Sequence, residues 1–597
     1  MRTIMTLAAL AALCGCATAR APELATAPVP QAPERAIAPV SVKIIAFNDF
    51  HGALEPPRQA IAAPAPGGGE VRVPAGGAAF LASAIAGLRA ANPNNAVVSA
   101  GDLISASPLV SALFLDEPTI LAMNLIGLDF NAVGNHEFDR GRAELLRMQN
   151  GGCARNTALT PCRLDPDFPG ARFRFLAANV TAQTGRTLLP GYGMRSFGAG
   201  AGEVRVGFIG LTLKETPTHV TPAGVAGLAF GDEAEAINAL VPRLRAEGAD
   251  AIVVLIHQGV STSVGYNDSS CAGMDGDLMP ILARLDPAID LVVSGHTHNA
   301  YICDYGRIDP ARPFLVTSAG RYGTIVTDIS LTVDPVAGRV LERRAGNVIV
   351  QGESYVGSSG PVTVTEHYPR FPADPAVAAL VDLYAAAAAP IALRIVGRID
   401  GAALRDKSPA GESVLGNLVA DAHLAATRAP EAGGARIAFT NGAGLRADIV
   451  PAADGGVTYG QLFAAQPFGN NLVVKSLTGR QIRAVLEQQF DSGANSVADP
   501  NMLMVSRGFS YGYDLTRPPG RRIVDARLDG EPLGDDAVYR VTTNSFLATG
   551  GDNFTVFRDG TEATGGPQDV DALEQYIAAT ERLALPAPDR IARLAPR

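Results

Sequence analysis

The chain reads as an α/β protein of two domains. Three observations predict this. Apolar β-type runs alternate with amphipathic helical stretches through the first half, the pattern of layered α/β folds. An Ala-rich helix bounded by prolines follows, and the β-type runs then resume. At 597 residues the chain also exceeds what a single hydrophobic core organises.

The elements follow in order. Arg2, an apolar stretch over 4–13 and then Leu13-Cys14-Gly15-Cys16 read as an export signal, too short to span a bilayer as a resident helix. Leu-x-Gly-Cys resembles a lipobox, in which Cys16 is acylated and becomes the mature N-terminus; an ordinary signal peptide cleaved after Ala17 or Ala19 is the other reading, and both stay open. Residues 17–40 are rich in Ala and Pro and read as a semi-extended tether. Strand candidates in the first half are 42–47, 96–99, 130–133, 205–209, 251–256 and 290–294, with helices over 77–91 and 233–247 between them. The run 63–70 (APAPGGGE) reads as a flexible insertion. Asp374 suits an N-cap and Pro375 the first helical turn, Ala-rich residues carry the helix on, and Pro390 ends it. Further strand candidates are 436–440, 472–476 and 539–543. The expected boundaries are a signal over 1–16, the tether 17–40, a first domain 41–370, a connecting helix 371–390 and a second domain 391–597.

Exported proteins form disulfides. Besides Cys14 and Cys16 the chain holds Cys153, Cys162, Cys271 and Cys303. Local pairing, 153 with 162 and 271 with 303, is the simplest of the three connectivities, and sequence leaves it open. The expected compartment is the periplasm or cell envelope, as an outer-membrane lipoprotein if Cys16 is acylated, otherwise the exterior. A formal charge of −10 argues against a long polyanion as partner, so no nucleic acid polymer is expected.

The chemistry lies in an ordered series: Asp49-Phe50-His51, Gly101-Asp102, Gly134-Asn135-His136-Glu137, His257 and Gly295-His296-Thr297-His298. Only oxygen and imidazole donors appear, and each cluster follows a β-type run, where open α/β folds place their sites. This is the ligand set of a two-metal phosphoesterase. Phosphate esters resist attack because their oxygens repel the nucleophile and the leaving group is poor; two divalent ions ~3.5–4 Å apart answer both problems. Asp102 is the candidate bridge. Asp49, His51 and His298 complete one ion's shell; Asn135, His257 and His296 complete the other's. Mixed O/N ligation without Cys suits Zn, Mn, Fe or Co rather than Mg or Ca. If 136–139 begins a helix, Asp139 faces back onto His136 and orients it for catalysis, protonating the leaving oxygen or stabilising the transition state. His219, His367 and His423 lack this context and read as surface or structural histidines.

Ala46-Phe47-Asn48-Asp49-Phe50-His51-Gly52, Ser99-Ala100-Gly101-Asp102, Gly134-Asn135-His136-Glu137-Phe138-Asp139 and Ser294-Gly295-His296-Thr297-His298 resemble the calcineurin-like metallophosphatase domain. Asn441-Gly442-Ala443-Gly444-Leu445-Arg446, Gln466-Pro467-Phe468-Gly469-Asn470 and Ser545-Phe546-Leu547-Ala548-Thr549-Gly550-Gly551-Asp552 resemble the nucleotide-binding domain of the 5′-nucleotidase/UDP-sugar hydrolase family. The resemblance implies a four-layer metallophosphatase sandwich, a connecting helix and a C-terminal α/β nucleotide-binding domain. It implies a nucleotide as the small-molecule substrate, with Phe468 and Phe546 sandwiching the base. In the same reading Arg446 binds phosphate or ribose, and Asn441 and Asp552 hydrogen-bond the nucleoside. Two departures stand out. Gly411, not Arg, precedes Glu412, with Arg405 and Lys407 the cations nearby, and Ala443 adds a methyl in a glycine-rich turn.

The leading expectation is a secreted or lipid-anchored metal-dependent 5′-nucleotidase acting on nucleoside phosphates. Alternatives on the same metals are a 2′,3′-cyclic nucleotide phosphodiesterase with 3′-nucleotidase activity and a UDP-sugar hydrolase. A thiosulfohydrolase shares the architecture but has little use for a base clamp. A non-catalytic surface nucleotide-binding protein is the reading from another class, and it has no use for His136 and Asp139.

Overall fold

The structure is a computed structural model and describes residues 37–157, 159–220, 224–357 and 360–594. The export signal, Cys16 and nearly all of the tether lie outside the described residues.

Two six-stranded sheets stack face to face in the first half. One orders Arg339–Ile349, Ile325–Asp334, Val40–Phe47, Asn95–Ser99, Phe130–Ala132 and Arg174–Leu176; the other orders Ala300–Asp304, Leu315–Ala319, Leu291–Ser294, Ala251–Ile256, Val204–Leu211 and Tyr192–Phe197. In the first sheet Val40–Phe47, Asn95–Ser99, Phe130–Ala132 and Arg174–Leu176 run parallel, and the other two strands join antiparallel at one edge; in the second the three central pairings are parallel and the two outer ones antiparallel. Strand periodicity explains the layering. Val42, Ile44 and Ala46 point between the sheets and meet Val206, Phe208, Val253 and Leu255. Their neighbours Ile45 and Phe47 point outward onto Leu81 and Ile85 of helix Ala78–Ala91. The second sheet likewise covers Ile252 and Val254 with Ile237 and Val241 of helix Glu233–Ala246. Helix, sheet, sheet, helix: these are the four layers.

Helix Pro375–Ala392 packs Val377, Val381, Tyr384 and Ala388, a single stripe, onto the first domain's helical layer. Asp374 caps it, accepting from the Ala376 and Val377 amides at 3.0 Å each. Pro390 does not end it. The helix runs on to Ala392, because a missing N–H this near the terminus removes one bond from a turn that the Leu393 amide closes on Ala389. The run 63–70 is also more ordered than its composition implies. Gln59–Pro64 and Glu70–Ala75 pair as an antiparallel hairpin in full register, Glu70-Val71-Arg72-Val73 alternating polar and apolar residues; residues 65–69 form the tip, with Gly67–Gly69 at positive φ.

Beyond the helix a five-stranded sheet orders Leu503–Val505, Ile437–Asn441, Val538–Asn544, Asn471–Thr478 and Thr561–Gln568. Helix Val414–Thr427 covers one face and helix Gly479–Glu487 the other. Disulfides join Cys153 to Cys162 and Cys271 to Cys303, the local connectivity.

Candidate active site

Every ligand cluster leaves the C-terminal end of a strand. Asp49 and His51 follow Val40–Phe47, Asp102 follows Asn95–Ser99, Asn135 follows Phe130–Ala132, His257 follows Ala251–Ile256, and His296 and His298 follow Leu291–Ser294. Asp49, His51, Asp102, His296 and His298 all adopt left-handed backbone, φ 46° to 70°. Such conformations are disfavoured for non-glycine residues and persist where the surroundings impose them. The turns leave no room beside them: a Cβ on Gly134 would lie 2.2 Å from Asp102 Oδ1, and one on Gly101 2.7 Å from His257 Nδ1.

Two compact groups result, Asp49/His51/His298 and Asp102/His257/His296, with the ligand atoms of each within 4.8 Å of one another. Asp102 Oδ2 also lies 3.6 Å from His51 Nε2, so this carboxylate touches both groups as a bridge must. The donor set fits divalent cations. His257 donates Nδ1–H to the Ala100 carbonyl at 2.8 Å, which leaves Nε2 as a lone pair. That Nε2 and Asn135 Oδ1 are buried without a hydrogen-bond partner, although Nε2 stands 3.0 Å from Asp102 Oδ2. His51 repeats the arrangement, with Nδ1 on the Ser105 carbonyl at 3.0 Å and Nε2 3.2 Å from His298 Nε2. Converging lone pairs of this kind need positive charge between them. Burial lowers His51, His296 and His298 below their ordinary values, keeping them neutral, the form that ligates. Burial also opposes charge on His257, but the facing Asp102 carboxylate overrides it and raises the ring to about 10.

His136 begins a short 3-10 turn, His136–Phe138, and its Nδ1 meets Asp139 Oδ2 at 2.8 Å. Burial opposes protonation, yet Asp139 and Asp102 together raise the imidazole above its ordinary value. The His136 amide donates to Asp102 Oδ1 at 3.0 Å, tying this residue to the bridging carboxylate. Glu137 has a role the sequence does not reveal. It is buried, and its carboxylate accepts from the amides of Gly134 (2.7 Å), Leu103 (2.8 Å) and Asp102 (3.1 Å), so it clasps two ligand-bearing turns together.

The second domain faces this cluster across a cavity of about 530 Å³ lined by both. Phe468 stacks on His136, centroids 5.6 Å apart and 21° between planes. Arg446 lies 5.9 Å from the Phe468 centroid, with Nη2 3.4 Å from His51 Nε2. Phe546, Asn441 and Asp552 share the cavity wall. Asn544 donates to Asn441 Oδ1 at 3.1 Å, and Asn441 donates to Asp552 Oδ2 at 2.7 Å, a chain that orients the carboxylate. The metal, catalytic and substrate residues expected from the sequence therefore converge on one cleft.

The structure places both departures. Lys407 lines the cavity while Arg405 is paired with Asp448 at 3.1 Å. Ala443 keeps an ordinary φ, so its methyl strains no backbone, and it stands on the cavity wall. One expectation fails: His219 is neither surface nor structural but lines the cavity, its ring 5.4 Å from that of His296. Burial, with His136 nearby, lowers it to about 4. The available signal was its place on the loop that leaves Val204–Leu211, at the same sheet edge as the ligands. His423 is fully buried and His367 exposed, as expected.

Comparison with known proteins agrees with this geometry. A calcineurin-like phosphoesterase model matches residues 42–300 and a 5′-nucleotidase C-terminal domain model matches residues 395–559. The cell wall protein Lmo0130 of Listeria monocytogenes is 30% identical over 564 residues, 90% of this chain and 67% of that protein. Endonuclease YhcR of Bacillus subtilis is 29% identical over 542 residues, again 90% of this chain, which spans 40% of the endonuclease's length. Among solved structures, a 5′-nucleotidase precursor from Thermus thermophilus superposes with a TM-score of 0.71 at 26% identity, covering 94% of this chain and 100% of that one.

Proposed function

The chain belongs to the 5′-nucleotidase family of metallophosphoesterases, and we propose that it is a 5′-nucleotidase releasing phosphate from nucleoside monophosphates. The observation that carries the reading is one cavity shared by two metal-ligand groups from the first domain and an aromatic pair from the second. We take 41–370 as the metal-binding domain, 371–390 as the link and 391–597 as the substrate domain.

Asp49, His51 and His298 would hold one ion and Asn135, His257 and His296 the other, with Asp102 between. Bound there, divalent ions supply a nucleophile at neutral pH and offset charge on the phosphoryl group. The chain's own residues do the rest. Phe468 and Phe546 hold the base by stacking, worth ~1–3 kcal/mol on each ring. Asp552, fixed by Asn441, accepts from the ribose hydroxyls. Arg446 reaches from the second domain to His51 and so stands where a phosphoryl oxygen would bind. His136, held by Asp139, gives its proton to the departing 5′-oxygen as the P–O bond breaks. The two disulfides support an oxidising compartment, and a relative named a cell wall protein supports the envelope; attachment through a lipid on Cys16 belongs to the same proposal.

Phosphate release from 5′-AMP, 3′-AMP, 2′,3′-cyclic AMP and UDP-glucose, with and without a chelator, tests the function. We expect 5′-AMP to be the fastest substrate, EDTA to abolish turnover, and added divalent metal to restore it. Preference for the cyclic substrate or for UDP-glucose would replace the 5′-nucleotidase reading by that activity, and full turnover after metal removal would end it.

A further inference from the structure

His219 is absent from the machinery described above, yet its position gives it a part in the reaction. Helix Thr216–His219 leaves the end of strand Val204–Leu211, beside the strand that delivers His257. The ring meets that of His296 edge to face at 5.4 Å, close to the 5.1 Å between His257 and His296 and the 5.2 Å between His51 and His298. It lines the cavity together with Asp102, Asn135 and His136. Among the described residues no group hydrogen-bonds either ring nitrogen, and the ring is only partly buried at the cavity wall, so its N–H is open to a ligand there.

The helix also packs on the turn Gly551–Asn553 of the second domain, the turn that carries Asp552. The same segment therefore touches the metal-ligand cluster on one side and the nucleoside-binding turn on the other. A further ligand role at the second ion fits less well, because the atoms of Asp102, His257 and His296 already form a compact group that does not include His219.

We propose that His219 donates a hydrogen bond to a non-bridging oxygen of the substrate phosphoryl group on the side of His257 and His296, opposite Arg446. The assignment rests on the metallophosphoesterase reading of the site. It gives the phosphoryl group a donor from each domain, with His219 placed correctly only while its helix rests on the Gly551–Asn553 turn.

The test uses metal-loaded protein and inorganic phosphate, so it does not depend on the nucleotide. Hydrogen bonds to charged groups are each worth an affinity factor of roughly 10- to 100-fold. His219→Ala is expected to weaken phosphate binding, measured calorimetrically, by that factor, with metal content unchanged by elemental analysis. His219→Asn, which keeps an N–H donor, is expected to recover most of the loss. Unaltered phosphate affinity in His219→Ala would overturn the proposal. So would loss of a metal ion, which would make His219 a ligand, or an Asn variant no better than Ala. Failure of the 5′-nucleotidase reading looks different: wild-type protein would bind metal and phosphate, with His219→Ala weakened as expected, but would not release phosphate from 5′-AMP.

Discussion

Asp102→Asn is expected to leave a folded protein with almost no turnover. The substitution preserves shape and removes one negative charge at the point where both ligand groups meet. Asp102 Oδ2 lies 3.0 Å from His257 Nε2 and 3.6 Å from His51 Nε2, while Oδ1 receives the His136 amide at 3.0 Å. An amide cannot bridge two cations as a carboxylate does, and the same change unsettles the backbone that presents His136. Ions at such a centre contribute several kcal/mol to the transition state, so the loss should reach at least about 10³-fold. Metal content should fall with it. Near wild-type turnover with two ions bound would remove Asp102 from the bridge.

His136→Ala is expected to lower turnover by roughly 10²–10⁴, the scale of a general acid–base group, and to leave metal content unchanged. The residue sits beside the ligand Asn135, but its Nδ1 is committed to Asp139 at 2.8 Å and its ring to Phe468, which leaves Nε2 for the substrate. The loss should depend on the leaving group. A nucleoside 5′-oxygen needs a proton on departure, whereas p-nitrophenolate leaves without one, so p-nitrophenyl phosphate should suffer less. An equal loss on both substrates would argue against proton transfer, and loss of both ions would make His136 a ligand.

Much of this site is legible in the sequence. Oxygen and imidazole donors placed just past β-type runs have few uses other than ligation, and parallel sheets gather such strand ends on one edge. The alternation in 42–47 likewise told which residues face the second sheet. Illegible was whatever depends on which loops meet. Glu137 stands inside a recognisable motif, but its work is done on amides from Leu103 and Asp102, more than thirty residues away. His219 carries no flanking glycine or acid to mark it, and only the packing of two strand-end loops brings it to His296. Arg405 and Lys407 were equivalent until Asp448 took one of them. In the hairpin Gln59–Pro64 and Glu70–Ala75, glycine and proline at the tip and an Ala-rich first flank without alternation masked the strand pairing.

The central claim is that one active site spans both domains, metals on one side and the base clamp on the other. It is tested most directly by replacing Phe468 and Phe546 with Ala and measuring kcat/KM for 5′-AMP and for p-nitrophenyl phosphate. Loss of two stacking surfaces, ~1–3 kcal/mol each, should cut the nucleotide value at least about tenfold and lower the small ester far less, since that ester has no base to stack. An equal fall on both substrates would make the phenylalanines structural, and no change on either would mean that nucleotides are not held between the two domains.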